Sequence, residues 1–240
     1  MKYVNYVRPR VPFRRVQKAR RLKFCKCEDF SNPGFVRRLL FSDEHVITTN
    51  DYSSRTQWVK VGKVRSAAKR KVLPQNRKSK FNVVNHMFWA MIGYNYKSPI
   101  IWLEFPDGNG GTTSAMNAQR YTDNVLIHVK AKLQQRRMIF MQDGAGCHTA
   151  RHSKAWLEDN GVTVLADWPA NSPDLNPIEE VWAEINRLLS IGGVAHTKEE
   201  LKRMVQDVWA KFPMEKINKY VMSFMSKTAA CVKNQGGEAK

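Results

Sequence analysis

The chain has 240 residues, 42% of them hydrophobic, enough for one sizeable core with room for an inserted loop or a small second lobe. Forty lysines and arginines against 21 acids leave a net charge of +19, a self-repulsion that a polyanionic partner relieves; this points to nucleic acid and says nothing about catalysis. No apolar run approaches the roughly 18 residues of a membrane span, and none follows the charged N-terminus as a secretory signal requires, so a soluble intracellular protein is expected.

Residues 1–38 are basic and partly helical, with Arg14, Arg15, Lys18, Arg20, Arg21 and Lys23 crowded into a short stretch. They read as a DNA-contacting linker or an import signal, against the plainer alternative of a solvated cationic helix face. Cys25 and Cys27 are two apart, and Cys147 and Cys231 do not supply the second close pair of a zinc site, so all four read as free thiols in a reducing compartment. Ser31-Asn32-Pro33-Gly34 is a turn signal. Leu39–Phe41 then reads as a buried strand running into Asp43, and Gln57–Val61 as a second strand. Residues 60–80 hold nine Lys or Arg and no acid, and Lys69, Arg70 and Lys71 lead the reading of this stretch as an exposed loop or hairpin facing phosphates.

From Val83 the pattern turns apolar. Met87–Tyr94 and Pro99–Phe105 read as two core strands joined by a turn at 95–98, and residues 107–111 as a flexible loop. Ser114 or Asn117 is placed to cap a helix running to about Arg137, with Tyr121, Val125, Ile127, Val129 and Leu133 on its apolar side. Met138–Gln142 is a short buried strand ending at Asp143. A helix over 149–159 stops at Asn160-Gly161, and Val162–Leu165 makes another strand. A proline-rich turn from Trp168 leads to a helix beginning near Pro177 that carries Glu179 and Glu180, and further helices span 198–212 and 215–225. The order is that of an α/β protein with a central mixed sheet flanked by helices. Its expected divisions are a basic linker at 1–38, an α/β core at 39–190 and a C-terminal helical region at 191–240.

Two aspartates at strand ends and a glutamate on a helix after a further strand suit a hard, oxygen-preferring cation. Phosphoryl transfer needs such help: two divalent ions activate an attacking oxygen and stabilise the leaving one. Each acid alone has a plainer reading, as a turn former, a helix cap or a first-turn residue. Glu44 should point to the opposite face of its strand from Asp43, and Glu180 is rotated by about 100° around its helix from Glu179. Asp174 reads as a brace of the proline turn. His148 reads as a DNA contact or a neighbour of the site, with a structural histidine as the plain alternative.

The run from Trp168 through Ser172-Pro-Asp-Leu-Asn-Pro-Ile-Glu179 closely resembles the signature of the Tc1/mariner transposases. Met141-Gln-Asp-Gly-Ala-Gly-Cys-His-Thr-Ala150 looks like that family's second-aspartate motif, and Leu39-Leu-Phe-Ser-Asp-Glu44 like its first. The resemblance covers roughly residues 13–240. It implies an RNase H-like fold, catalytic and metal-ligating roles for Asp43, Asp143 and Glu179, and two Mg²⁺ or Mn²⁺ ions. The partner it implies is double-stranded DNA, cut at transposon ends and joined to a target at TA by the freed 3′-hydroxyl, in a protein that works in the nucleus and as a dimer. The spacing between Asp143 and Glu179 is one residue longer than is typical, and Gly146 stands where a proline is common. The family's two helix-turn-helix subdomains are expected to precede the first residue seen here. A transposase-derived DNA-binding protein without chemistry, or another RNase H-like nuclease, are the alternative readings.

Overall fold

A computed structural model describes residues 3–7, 13–48, 56–60, 85–109, 111–135, 137–193 and 195–239. The basic stretch with Lys69, Arg70 and Lys71 lies outside the described residues. Strand β1 (Tyr3–Val7) pairs antiparallel with β3 (Thr56–Lys60), the strand expected at 57–61.

The main sheet grows around β2 (Leu39–Thr48), whose sequence alternates between two buried faces. Leu39 and Phe41 face one core with Phe88, Ala90, Ile139 and Met141, while Leu40 faces the other with Trp89, Met91 and Phe140. A period of two with both faces apolar is what a sheet covered by helices on each side requires. On one side of β2 runs β4 (Asn85–Gly93), antiparallel, and on the other β9 (Ile139–Met141), parallel. The outer edge at β4 carries β5 (Tyr96–Lys97) and β6 (Ile101–Trp102). One strand was expected over 99–105. The register instead slips by one residue between the pairs Ile92–Lys97 and Trp89–Ile101. Pro99, which has no N–H to give a ladder, stands in the interruption. The strand expected at 162–165 shrinks to a single parallel bridge between Val164 and Phe140, held by two backbone hydrogen bonds. The loop expected at 107–111 closes a small hairpin of β7 (Phe105–Pro106) and β8 (Thr112–Thr113), with Asp107 Oδ1 accepting from the amides of Asn109 and Gly111.

One face of the sheet is covered by α1 (Arg15–Cys25), the short α2 (Pro33–Val36), α7 (Ile178–Gly192), α8 (Lys198–Lys211) and α9 (Met214–Lys233). The turn expected at 31–34 is the start of α2, where the Asn32 side chain accepts from the Gly34 amide and Pro33 takes the first helical position. Phe24, Phe30, Phe41, Trp168 and Phe224 pack ring on ring here, with neighbouring centroids 4.9–6.4 Å apart. Residues from the linker, the core and the C-terminal region therefore share one core.

The other face is covered by α3 (Ala118–Tyr121), a π turn (Thr122–Leu126), α4 (Ile127–Leu133) and α6 (Arg151–Asp159), with the one-turn α5 (Gly146–Thr149) ahead of α6. Asn117 is the cap of α3, accepting from the Arg120 amide. The π turn adds a residue to one helical turn, so Leu126 is buried and Ile127, expected inside, is 46% exposed. Among the described residues no helix is long and apolar enough to cross a membrane, and all four cysteines are free.

Candidate active site

The pairing of β2 with β9 sets Phe41 opposite Met141, so Asp43 and Asp143 each follow two residues beyond the last shared pair. They leave the parallel ladder at its C-terminal edge, where α/β sheets gather ligands. Asp43 was expected at the end of its strand. It lies within β2, which continues to Thr48 because β4 runs beside it.

Glu179 comes in from the side. The turn through Pro173 and Pro177 delivers α7 against β2, and Asn176 joins the two. Its Nδ2 donates to the Ser42 carbonyl at 3.3 Å and to Asp43 Oδ2 at 3.5 Å, while its Oδ1 accepts from the Ile178 amide and its carbonyl from the Glu179 amide. Asp43 is half-buried and accepts from the Glu44 amide at 2.8 Å. Its carboxyl is pushed up to about 8, first by burial, then by the charges of Glu179, Glu44 and Asp143, with the Glu44 amide pulling the other way. Four acids thus share one region, and the charges of the other three raise Asp43.

Asp143 is half-exposed and its Oδ1 accepts twice: from the Ala145 amide at 2.9 Å and from His148 Nδ1 at 2.7 Å. His148 Nε2 donates to Glu44 Oε1 at 3.2 Å. Burial alone would lower the imidazole, but hydrogen bonding to Asp143, then Cys147 and Glu44, more than offsets this and its pKa is pushed up to about 12. The same hydrogen bond, with the Ala145 amide, holds Asp143 below the usual carboxylate range despite its desolvation. A cleft of about 660 Å³ opens beside Asp143, lined by His148, Thr149, Lys154 and Trp168 among others. Among the described residues no three acid, histidine or cysteine side chains are drawn in around one point as a finished metal cage. The donor set is nevertheless oxygen-rich and anionic, which fits a hard divalent cation.

A family model described as DDE superfamily endonuclease matches residues 38–202. The chain belongs to that family. Among relatives, the Tc1 transposase of Caenorhabditis elegans is 35% identical over 106 residues, covering 44% of this chain and 38% of that protein. The Tc3 transposase of the same organism is 27% identical over 128 residues, 52% of this chain and 39% of that one. The match spans well under half the length of either. A crystal structure of the catalytic domain of the Mos1 mariner transposase superposes with a TM-score of 0.69 at 20% identity, covering 97% of this chain and 98% of that one. The Mos1 transposase in its paired-end complex with the left transposon end gives 0.72 at 20% identity, over all of this chain and 68% of that one. This is the RNase H-like fold expected from the sequence, with its mixed sheet flanked by helices.

Within this DDE fold two expected DNA contacts are corrected. Arg21 is fully buried: it grips Asp174 through both terminal nitrogens, at 2.9 and 2.6 Å, and donates to the carbonyls of Gly236 and Gly237. Every third or fourth residue of a helix shares a face, and Arg21 shares its face with buried Phe24 and Cys25, a signal present in the sequence. His148 is 2% exposed, so its ring faces carboxylates and not DNA. Arg14, Arg15 and Arg20 are exposed at α1. Glu180 turns to Lys227 and Ser223, away from Glu179. Asn176 and Glu44 were not singled out as functional residues. Asn176 stood inside the Asn-Pro-Ile-Glu run, and Glu44 was correctly assigned to the opposite strand face.

Proposed function

We propose that this chain is the catalytic part of a cut-and-paste DNA transposase, in which Asp43, Asp143 and Glu179 hold two divalent ions, Mg²⁺ or Mn²⁺, against a DNA phosphate. The observation that carries this reading is the register of β2 and β9, which sets Asp43 and Asp143 side by side beyond the ladder, with the Asn176-anchored turn bringing Glu179 to them; the crowding of acids pushes the Asp43 carboxyl up to about 8. Such crowding costs energy in the bare protein and is relieved by cations. When bound, the ions supply activation of water or a 3′-hydroxyl and stabilisation of charge on the phosphate. Asp43, anchored in the sheet, contributes the most rigid ligand. Asp143 contributes an oxygen at the mouth of the cleft. Asn176 holds the first turn of α7 against β2 and so fixes the position of Glu179.

Exposed Arg14, Arg15 and Arg20, with Lys69, Arg70 and Lys71 from the basic stretch, provide phosphate contacts. The freed 3′ end is then joined to target DNA, at TA. The structure of Mos1 transposase in a paired-end complex with its left transposon end supports DNA as the partner; a working unit of two copies of the chain belongs to the same proposal. Nuclear DNA is the substrate in a eukaryotic host. In this reading residues 39–190 are the catalytic unit, 1–38 the linker and 191–240 its helical support.

The test is nicking of duplex DNA in Mg²⁺ or Mn²⁺. Asp143→Asn and Glu179→Gln should each abolish metal-dependent cleavage, a loss of at least about 10³-fold on the scale of removing a catalytic group. Binding to plain DNA should stay intact, because the basic surface is untouched. Full cleavage by both variants rejects the assignment. A wild type that binds DNA but never cuts it identifies a binding protein on a transposase scaffold.

A further inference from the structure

The motif that supplies Asp143 also supplies His148, and the function above leaves that buried ring without a task. We infer that Glu44 and His148 form a brace that fixes the Asp143 carboxylate, presenting its free oxygen to the cation. The inference deepens the metal-binding reading and rests on it.

Asp143 lies in the segment after β9 that joins the sheet to α5, and its side chain is half-exposed. A carboxylate there has few packing constraints of its own. Its Oδ1 nevertheless accepts from both the Ala145 amide and His148 Nδ1. Two donors occupy the lone pairs of one oxygen and leave Oδ2 as the oxygen able to take a cation. The ring that does this is itself held on three sides. Tyr121 lies against it with centroids 4.4 Å apart. The Tyr121 hydroxyl donates to Gln142 Oε1, and Gln142 Nε2 donates to the His148 carbonyl at 3.4 Å. On the far edge Nε2 donates to Glu44.

Strand alternation makes the arrangement possible. Asp43 leaves β2 toward α7, and the next residue, Glu44, leaves it toward α5. Glu44 therefore reaches the ring beneath Asp143 while Asp43 faces Glu179. The brace couples the middle of β2 to the segment after β9, beyond the last pair of their parallel ladder. Groups that orient a ligating carboxylate in this way commonly contribute 10–100-fold to metal affinity. Glu44 and His148 are positioning residues and touch neither the ion nor DNA.

The test is Mn²⁺ affinity of the full chain without DNA, by calorimetry or by the signal of free Mn²⁺, with thermal melting alongside. His148→Leu keeps the bulk and loses the donor; it should weaken Mn²⁺ binding about 10–100-fold. His148→Asn, whose Nδ2 stands near the place of Nδ1, should restore most of that affinity. A ring that merely fills the core predicts the opposite order, with Leu better tolerated than Asn, and that order overturns the inference. So does wild-type affinity in both variants. If His148→Leu does not fold, the partly exposed Glu44 carries the test: Glu44→Ala should weaken Mn²⁺ binding and Glu44→Gln, which keeps an acceptor, should recover it, while no difference between them overturns the brace. Asp143→Asn is the control. Undiminished Mn²⁺ uptake by that variant, or none by the wild type, removes the metal reading of the site, and the brace falls with it.

Discussion

Asp43 is the residue where stability and function are most directly opposed. A partly buried carboxylate needs donors or a cation to repay its desolvation. The donors on Asp43 are the Glu44 amide and, at 3.5 Å, Asn176. Its surroundings add three further acids. A carboxyl pushed up to about 8 must take up a proton on folding at neutral pH, so the metal-free protein should gain stability when this ionisable group is replaced by a neutral one. Asp43→Asn keeps the shape and should raise the melting temperature of the metal-free chain at neutral pH by about 2–4 °C for each kcal/mol recovered. Excess Mg²⁺ should raise the melting temperature of the wild type and leave the variant nearly unmoved, since a ligand stabilises only the form that binds it. Calorimetric scans with and without Mg²⁺ check both. A variant that melts lower than the wild type in the absence of metal shows that Asp43 is a structural hydrogen-bonding residue and not a strained ligand.

Among the elements, the α3–π–α4 segment decides between pattern and structure. An unbroken helix puts Ile127 on the apolar stripe, whereas the π turn puts Leu126 there. Leu126→Ala should cost about 2–5 kcal/mol, as removal of a buried leucine does. Ile127→Lys should stay within about 0.5 kcal/mol, as an exposed position allows. Denaturant melts of the two variants read the difference, and a larger cost for Ile127→Lys than for Leu126→Ala would mean the helix is unbroken. The segment also marks how far sequence reasoning reaches. Asn117, one of the two cap candidates, and the buried strand at Leu39–Phe41 follow from local chemistry and periodicity. The π turn, the slip in register at Pro99 and the reduction of residues 162–165 to one bridge depend on how neighbours meet, which no local pattern states. The same holds for the site. Alternation placed Glu44 on the far face of its strand, but that His148 would meet it there is set by the packing of α5 against α3 and α6. Arg21 belongs to an intermediate class, because its buried stripe was present in the sequence while the run of cations around it suggested solvent.

At the scale of the whole molecule, one buried ion pair joins segments far apart in the chain. Arg21 in α1 grips Asp174 in the turn that delivers Glu179, and it also donates to Gly236 and Gly237. Asp174 in turn accepts from the Ala239 amide. Helix α1, the C-terminal segment and the turn before α7 thus meet at one ion pair with almost no solvent exposure, beside the aromatic packing of Phe24, Trp168 and Phe224. Removing one partner leaves the other buried and unpaired. Arg21→Met should destabilise by about 3–5 kcal/mol, and the double variant Arg21→Met/Asp174→Leu should recover much of this. The pair also sets an acid limit. Asp174 is desolvated, which alone would raise it, but Arg21 and the Ala239 amide hold it below its usual range. A carboxylate depressed in the folded state adds stability that is fully present above its unfolded pKa of about 3.9, and that stability is lost as pH falls through the folded value. Unfolding free energy measured from pH 7 downward should therefore drop more steeply below about pH 4 in the wild type than in Asp174→Asn, which starts lower and loses less. Parallel acid limbs in the two proteins would mean that the Arg21 pair contributes no proton-linked stability.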